Sequence, residues 1–231
     1  MSLSHVSVVC LDAGGVLLFP NWVRVSALLA AHGLAVSAPQ LADADLRARV
    51  TFDRPEVVGG TNNAAHARSY YEHVMEAAGL RDGEALTAAL SSVRASHRER
   101  NLWEVPAPDA ADALARLRAG GKRLVVVSNA DGRLGALLEG AGLAPFFDAA
   151  VDSHDVGVEK PDPRIFGIAL GRLGARPSEA AHVGDMYNID VVGARAAGVT
   201  PVLIDPLDLQ PAADCARVRS LTELADRLLA G

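Results

Sequence analysis

The chain has 231 residues, half of them hydrophobic, and a formal net charge of −6. That is enough apolar material for one large domain, or for a core carrying a smaller inserted one. The acidic balance argues against a nucleic-acid surface, which needs a basic patch, and no apolar run reaches the roughly 20 residues of a membrane span. The densest basic stretch, Arg94, His97, Arg98 and Arg100, is interrupted by Glu99 and reads as a solvated helix face. Cys10 and Cys215 lie far apart and form neither a metal spacing nor a disulfide framework. With no basic start and long apolar core of a secretory leader, the expected location is a reducing cytoplasm.

In chain order, the first predicted element is a strand over 6–11. The segment 22–104 then carries only helical patterns and loops, with helices expected at 23–33, 39–51, 64–79 and 83–100. Pro55, Gly59 and Gly60 mark 52–63 as a loop, and Pro106 and Pro108 mark a return linker. After it, strands and helices alternate: helix 110–119, strand 124–128, helix 134–142, strand 149–152, helix 163–173, strand 181–184, helix 189–197 and strand 201–204. Apolar runs without polar alternation suit parallel strands covered on both faces. The expected fold is therefore α/β, a Rossmann-like open parallel sheet with an inserted all-helical cap. The core would be 1–18 with 106–231, and the cap 19–105.

Four clusters stand at the carboxyl ends of predicted strands, where open α/β sheets bind ligands. Asp12 is followed by Gly14 and Gly15, which let the backbone turn tightly against a ligand. Asp185 and Asp190 follow a later strand, and with Asp12 could gather three carboxylates at one sheet edge. Such a group repels itself unless a hard cation joins it, and Mg²⁺ takes oxygen ligands and bridges readily to phosphate. Ser128 with the backbone N–H groups of Asn129 and Ala130 would open a helix, a ready anion site. Lys160 could offset phosphoryl charge during transfer.

Taken together these clusters resemble the haloacid dehalogenase superfamily. Asp12 stands where the family has its nucleophile, Ser128 where it has the serine or threonine of the second motif, Lys160 where it has the lysine of the third, and Gly184-Asp185 with Asp190 where it has the acidic fourth. The segment Lys160-Pro161-Asp162-Pro163 to Phe166 resembles the subgroup with a helical cap after the first strand. The resemblance runs over nearly all of 6–205. It implies a hydrolase, phosphatase-like, in which Asp12 attacks phosphorus and forms an aspartyl-phosphate. Mg²⁺ would be held by Asp12, the Gly14 carbonyl and Asp185, with Asp190 supporting it directly or through water. Ser128 and Asn129 would hold the phosphoryl oxygens together with Lys160, and a cap closing over the cleft would favour a small phosphorylated substrate.

One position departs from the family pattern. Most phosphatases of the superfamily carry a second aspartate two residues after the nucleophile, as general acid and base; here that position is Gly14. Asp155, His66 and His73 could lend a proton, but each reads as a surface or packing residue. Two other readings follow: a 2-haloacid dehalogenase using Asp12 without metal, and a degenerate member that binds a phosphorylated ligand. The dehalogenases tend to carry an aromatic residue at the Gly14 position and lose the Gly184-Asp185 pair. A binder has no need of the nucleophile. The phosphonate-cleaving relatives use a cap lysine, and the inserted segment has none.

Overall fold

A computed structural model describes residues 3–54 and 63–230, with side chains described from residue 70 onward in the second stretch. Most of the expected loop 52–63, and the side chain of His66, lie outside the described residues. The chain forms two compact units, Met1–Phe19 with Val105–Gly231, and Pro20–Glu104.

The chain enters through β1 (Val8–Leu11) and passes through β2 (Leu18–Pro20) into four helices: α1 (Trp22–Ala30), α2 (Ala38–Phe52), α3 (Asn63–Ala77) and α4 (Glu84–Glu99). It returns along β3 (Trp103–Pro106), which pairs with β2. Helix α2 starts where Ser37 and Gln40 cap each other reciprocally, with a proline in the first turn. Within this helical unit Trp22, Val25, Leu29, Leu41, Ala44, Leu90 and Val93 are buried. Asp45 and Arg49, one turn apart on α2, form a buried ion pair, with Arg49 Nε and Nη2 3.0 and 2.6 Å from the two carboxylate oxygens. The Tyr70 hydroxyl also donates to Asp45, so the buried charge is answered on two sides.

The rest of the chain builds the larger unit: α5 (Ala110–Ala119), β4 (Arg123–Ser128), α6 (Leu134–Gly140), β5 (Ala149–Asp152), α7 (Ser153–Val156), α8 (Arg164–Leu173), β6 (Ala180–Gly184), a π-helical turn at Tyr187–Val191, α9 (Val192–Ala196), β7 (Thr200–Ile204), β8 (Ala216–Val218) and α10 (Leu221–Leu229). The six strands β5-β4-β1-β6-β7-β8 lie side by side in that order, each neighbouring pair parallel. Alternate strand residues face two separate cores. Val9, Leu11, Val126 and Val183 pack with Leu114 and Leu117 of α5 and Leu224 and Leu228 of α10. Val8, Cys10, Val127 and Ala180 pack with Ile165, Phe166 and Leu170 of α8 and Ala194 of α9. The central strands are buried on both faces, as their unbroken apolar runs led one to expect. Among the described residues no helix is long and apolar enough to cross a membrane.

Four expectations need correction. The segment 22–104 is not wholly helical, because β3 begins at Trp103 and pairs with β2. No helix opens at Ser128: α6 starts only at Leu134, after Gly132 takes a φ of +85°. The buried Asp152 carboxylate of β5 accepts from Gly132 N (2.9 Å) and Leu134 N (3.3 Å), which holds the segment as a loop before the helix begins. The helix expected over 189–197 is split into the π-helical turn and α9. Beyond 204 the chain adds β8 and α10, whose Leu221, Leu224 and Leu228 complete one face of the core.

Candidate active site

The strand order reverses direction between β1 and β6: from β1 the chain steps outward to β4 and β5, then crosses back to β6. Such a switch point leaves a crevice at the carboxyl edge, and the acidic residues stand on it. Leu11 is in register with Val183 of β6 and with Val126 of β4. Asp12, Gly184-Asp185 and Ser128 therefore leave the sheet at the same edge on three adjacent strands.

Asp12 is held by its own backbone, which donates to Val183 O at 2.9 Å. One of its carboxylate oxygens accepts from Ala13 N at 2.7 Å. Behind it the chain doubles back: Leu17 N and Leu18 N both donate to Ala13 O, at 2.9 and 2.8 Å, and Gly15 N donates to Leu18 O at 2.9 Å. Gly15 takes a φ of +76° there, a conformation side chains disfavour, so the residue after Gly14 is a glycine for conformational reasons.

One carboxylate oxygen each from Asp12, Asp185 and Asp190 lie within 4.8 Å of one another. Lys160 reaches the same place from the loop after β5, its ammonium 2.9 Å from Asp12 Oδ1 and 2.7 Å from Asp190 Oδ1. The lysine side chain is wholly buried. Its position is set by Asn129, whose amide accepts from Lys160 N at 2.7 Å and donates to Lys160 O at 2.9 Å. The Asn129 side chain is thus engaged with the lysine backbone. The neighbouring Ala130 N donates to Ser153 Oγ at 3.2 Å. Ser128 itself is buried at the end of β4, paired in register with Asp152.

The charges are coupled. Burial alone would lower the Lys160 pKa, but Asp12 and Asp190 outweigh it and hold the ammonium above its usual value. Burial would raise Asp190, but the Lys160 charge and a bond from His182 pull it well below the usual carboxylate range. Asp12 ends above that range: burial and the Asp190 charge exceed what Lys160 returns. Three carboxylates and one ammonium thus share one small space, and acidic groups outnumber the ammonium there.

A family profile for haloacid dehalogenase-like hydrolases matches residues 6–198. The chain belongs to this family. Over 197 residues the hydrolase is 34% identical to haloacid dehalogenase-like hydrolase domain-containing protein 3 of Bos taurus, covering 82% of this chain and 78% of that protein. It is 41% identical over 143 residues to a phosphoserine phosphatase of Thermus thermophilus, covering 62% of this chain and 57% of the relative. L-2-haloacid dehalogenase from Xanthobacter autotrophicus shares the fold, with a TM-score of 0.65 at 21% identity over 97% of this chain and 99% of that one.

Two residues of this hydrolase's site were not singled out from sequence, Asp152 and His182. Asp152 read only as the end of a strand. His182 read as part of an apolar strand, although a histidine two residues before Gly184-Asp185 is a signal in itself. Asp155, weighed as a proton donor, is exposed on α7, and His73 packs edge-on to Phe52 at 5.6 Å.

Gly184 has a role set by space. A Cβ there would lie 2.1 Å from Asp190 Cγ and 2.3 Å from Asp190 Cβ. Gly184→Ala must therefore push Asp190 off its seat and disturb Lys160 with it. Hydrolytic kcat/KM is expected to fall by roughly 10²-fold, the scale of a 1 Å misplacement, while circular dichroism stays that of the wild type. Wild-type kinetics in Gly184→Ala would show that the placement of Asp190 does not matter.

Proposed function

We propose that this hydrolase is a Mg²⁺-dependent phosphatase acting on a small phosphorylated compound through an aspartyl-phosphate on Asp12. The observation that carries the reading is the all-oxygen acidic cluster with Lys160 bonded to Asp12. Three hard carboxylate oxygen donors gathered within 4.8 Å suit Mg²⁺ rather than a softer ion. Asp12, Asp185 and the Gly14 carbonyl would hold the ion, with Asp190 in support. Bound there, it would supply the positive charge that lets one anion approach another.

The chain's own residues would do the rest. An Asp12 oxygen would attack phosphorus in line, forming the Asp12–phosphorus bond as the ester oxygen departs. Lys160 would steady the carboxylate and offset charge on the transferring group. Ser128, with the backbone of Asn129, would hold phosphoryl oxygens at the same edge. The 20–104 unit would serve as the cap that selects the leaving group. Gly14 offers no acid, so the leaving oxygen would depart without help from that position, which favours substrates whose leaving group is already stable. General acid help is worth roughly 10²–10⁴-fold, and its absence should appear as a steep dependence on leaving-group pKa. The kinship with a phosphoserine phosphatase supports phosphate esters as the substrate class. Two free thiols, Cys10 and Cys215, suit a reducing cytoplasm.

The test is hydrolysis of p-nitrophenyl phosphate and a panel of metabolite phosphates with and without Mg²⁺, beside a 2-haloacid. Turnover of phosphate esters that stops with EDTA is expected. Metal-independent halide release would instead place the chain among the dehalogenases, whose fold it shares.

A further inference from the structure

We infer that His182 is a positioning residue: through Nε2 it holds the Asp190 carboxylate in the orientation that keeps Lys160 on Asp12. The inference rests on the reading of Asp12 and Lys160 as the reacting pair. It begins from a cost. His182 sits in the middle of β6, in register with Cys10 of β1 and Pro201 of β7, and its side chain is wholly buried. A polar group so placed destabilises the fold unless it is answered. Packing alone would be served as well by leucine.

Strand alternation puts Ala180, His182 and Gly184 on one face of β6. On that face the imidazole meets the edge of Phe166, with ring centroids 4.9 Å apart and planes at 75°. Its Nε2 lies 2.9 Å from Asp190 Oδ1. An ionised carboxylate only accepts, so the hydrogen is on Nε2. The other nitrogen, Nδ1, is buried without a partner. A hydrogen there would be a buried donor with nothing to meet, so the geometry selects one tautomer, Nε2–H with a bare Nδ1.

That single N–H completes the hold on Asp190. Oδ1 accepts from Lys160 Nζ at 2.7 Å and from His182, and Oδ2 accepts from Met186 N at 3.1 Å. Met186 O in turn accepts from Asp190 N at 2.7 Å. Two successive positions on one buried face of the strand therefore make the seat: Gly184 supplies the room and His182 the donor. Without the donor, Asp190 Oδ1 is held by Lys160 alone, and the carboxylate that helps to fix the ammonium is itself less firmly oriented. Such outer partners are worth roughly 10–100-fold in activity or metal affinity.

The experiment compares His182→Leu and His182→Gln with the wild type in p-nitrophenyl phosphate kinetics and calorimetric Mg²⁺ titration. ¹⁵N NMR of the wild-type imidazole is recorded alongside. His182→Leu is expected to lower kcat by roughly 10–100-fold, to leave KM nearly unchanged, and to weaken Mg²⁺ binding. His182→Gln, whose amide can still donate to Asp190, should recover most of the loss. The NMR shifts should report a hydrogen on Nε2 and none on Nδ1. A hydrogen on Nδ1, a glutamine variant no better than leucine, or unaltered kcat and Mg²⁺ affinity in His182→Leu would each overturn the assignment. Should the leucine variant fail to fold, the glutamine variant and the tautomer still decide. A wild type inert towards every phosphate would remove the phosphatase reading, while the tautomer and the Mg²⁺ titration would still judge His182.

Discussion

Asp12→Asn is expected to lower kcat on p-nitrophenyl phosphate by roughly 10⁴–10⁶-fold, the loss seen when a covalent nucleophile is removed. The same substitution should not weaken the metal-free fold. Burial, joined by the Asp190 charge, raises the Asp12 pKa above its ordinary value. A carboxyl raised on folding stabilises the folded state below its unfolded pKa of about 3.9, and that contribution is lost as pH rises through the folded value. At neutral pH ionised Asp12 therefore opposes folding, and the amide removes that opposition. In EDTA at pH 7 the Tm of Asp12→Asn should equal or exceed that of the wild type, and the difference should vanish towards pH 3. Adding Mg²⁺ should reverse the order. Saturation to 100 times the dissociation constant would stabilise the wild type by about 2.7 kcal/mol, and the variant would lack one of the proposed ligands. Residual turnover near the wild-type rate would remove Asp12 from the chemistry. A metal-free Tm well below the wild type would show that the Asp12–Lys160 bond outweighs the burial of the carboxylate.

Lys160→Met should damage both activity and stability. The lysine is wholly buried and bonded at 2.9 and 2.7 Å to two carboxylates. Methionine fills similar volume and leaves Asp12 and Asp190 facing each other without their shared cation. Breaking a buried pair from one side costs about 3–5 kcal/mol, which for a chain of this size lowers Tm by roughly 10 °C. Loss of the charge near the transferring group should lower kcat by roughly 10³-fold. Mg²⁺ should recover part of the stability and little of the rate, because the cation balances the carboxylates but cannot occupy the lysine's place. Lys160→Arg is not expected to rescue: a planar guanidinium does not fit a space built for a compact ammonium. A metal-free Lys160→Met protein with wild-type Tm would show that the lysine charge is not needed to hold the cluster.

Much of this site was legible in the chain because its signals are local. Asp12 with two glycines behind it, and Gly184-Asp185 at the end of an apolar run, announce a tight turn beside a carboxylate. A strand's carboxyl end is where such a turn meets a ligand. Lys160 before Pro161 carried less signal alone and gained its weight from order along the chain. The parallel sheet was legible for the same reason: strands covered on both faces are largely apolar, as β1 and the 124–127 stretch of β4 are. Strand β8, at three residues, is too short for a period to show.

The residue types, their order and their alternation were determined by sequence: an α/β core with a long helical insertion, and acidic and basic groups at strand ends. Tertiary structure alone decided which side chains touch. Asn129, adjacent to Ser128 and expected at the phosphate, turns its amide to the Lys160 backbone because two loops from neighbouring strands meet there. Asp152 keeps the residues just after Ser128 out of the helix that begins at Leu134, since its carboxylate accepts from Gly132 N and Leu134 N. His182 finds Asp190 only because the turn after β6 folds the chain back over Gly184. Hydrophobic period and turn chemistry act within a few residues and so can be read from order. Hydrogen bonds between distant loops depend on strand register and close packing, and these exist only once the sheet has formed.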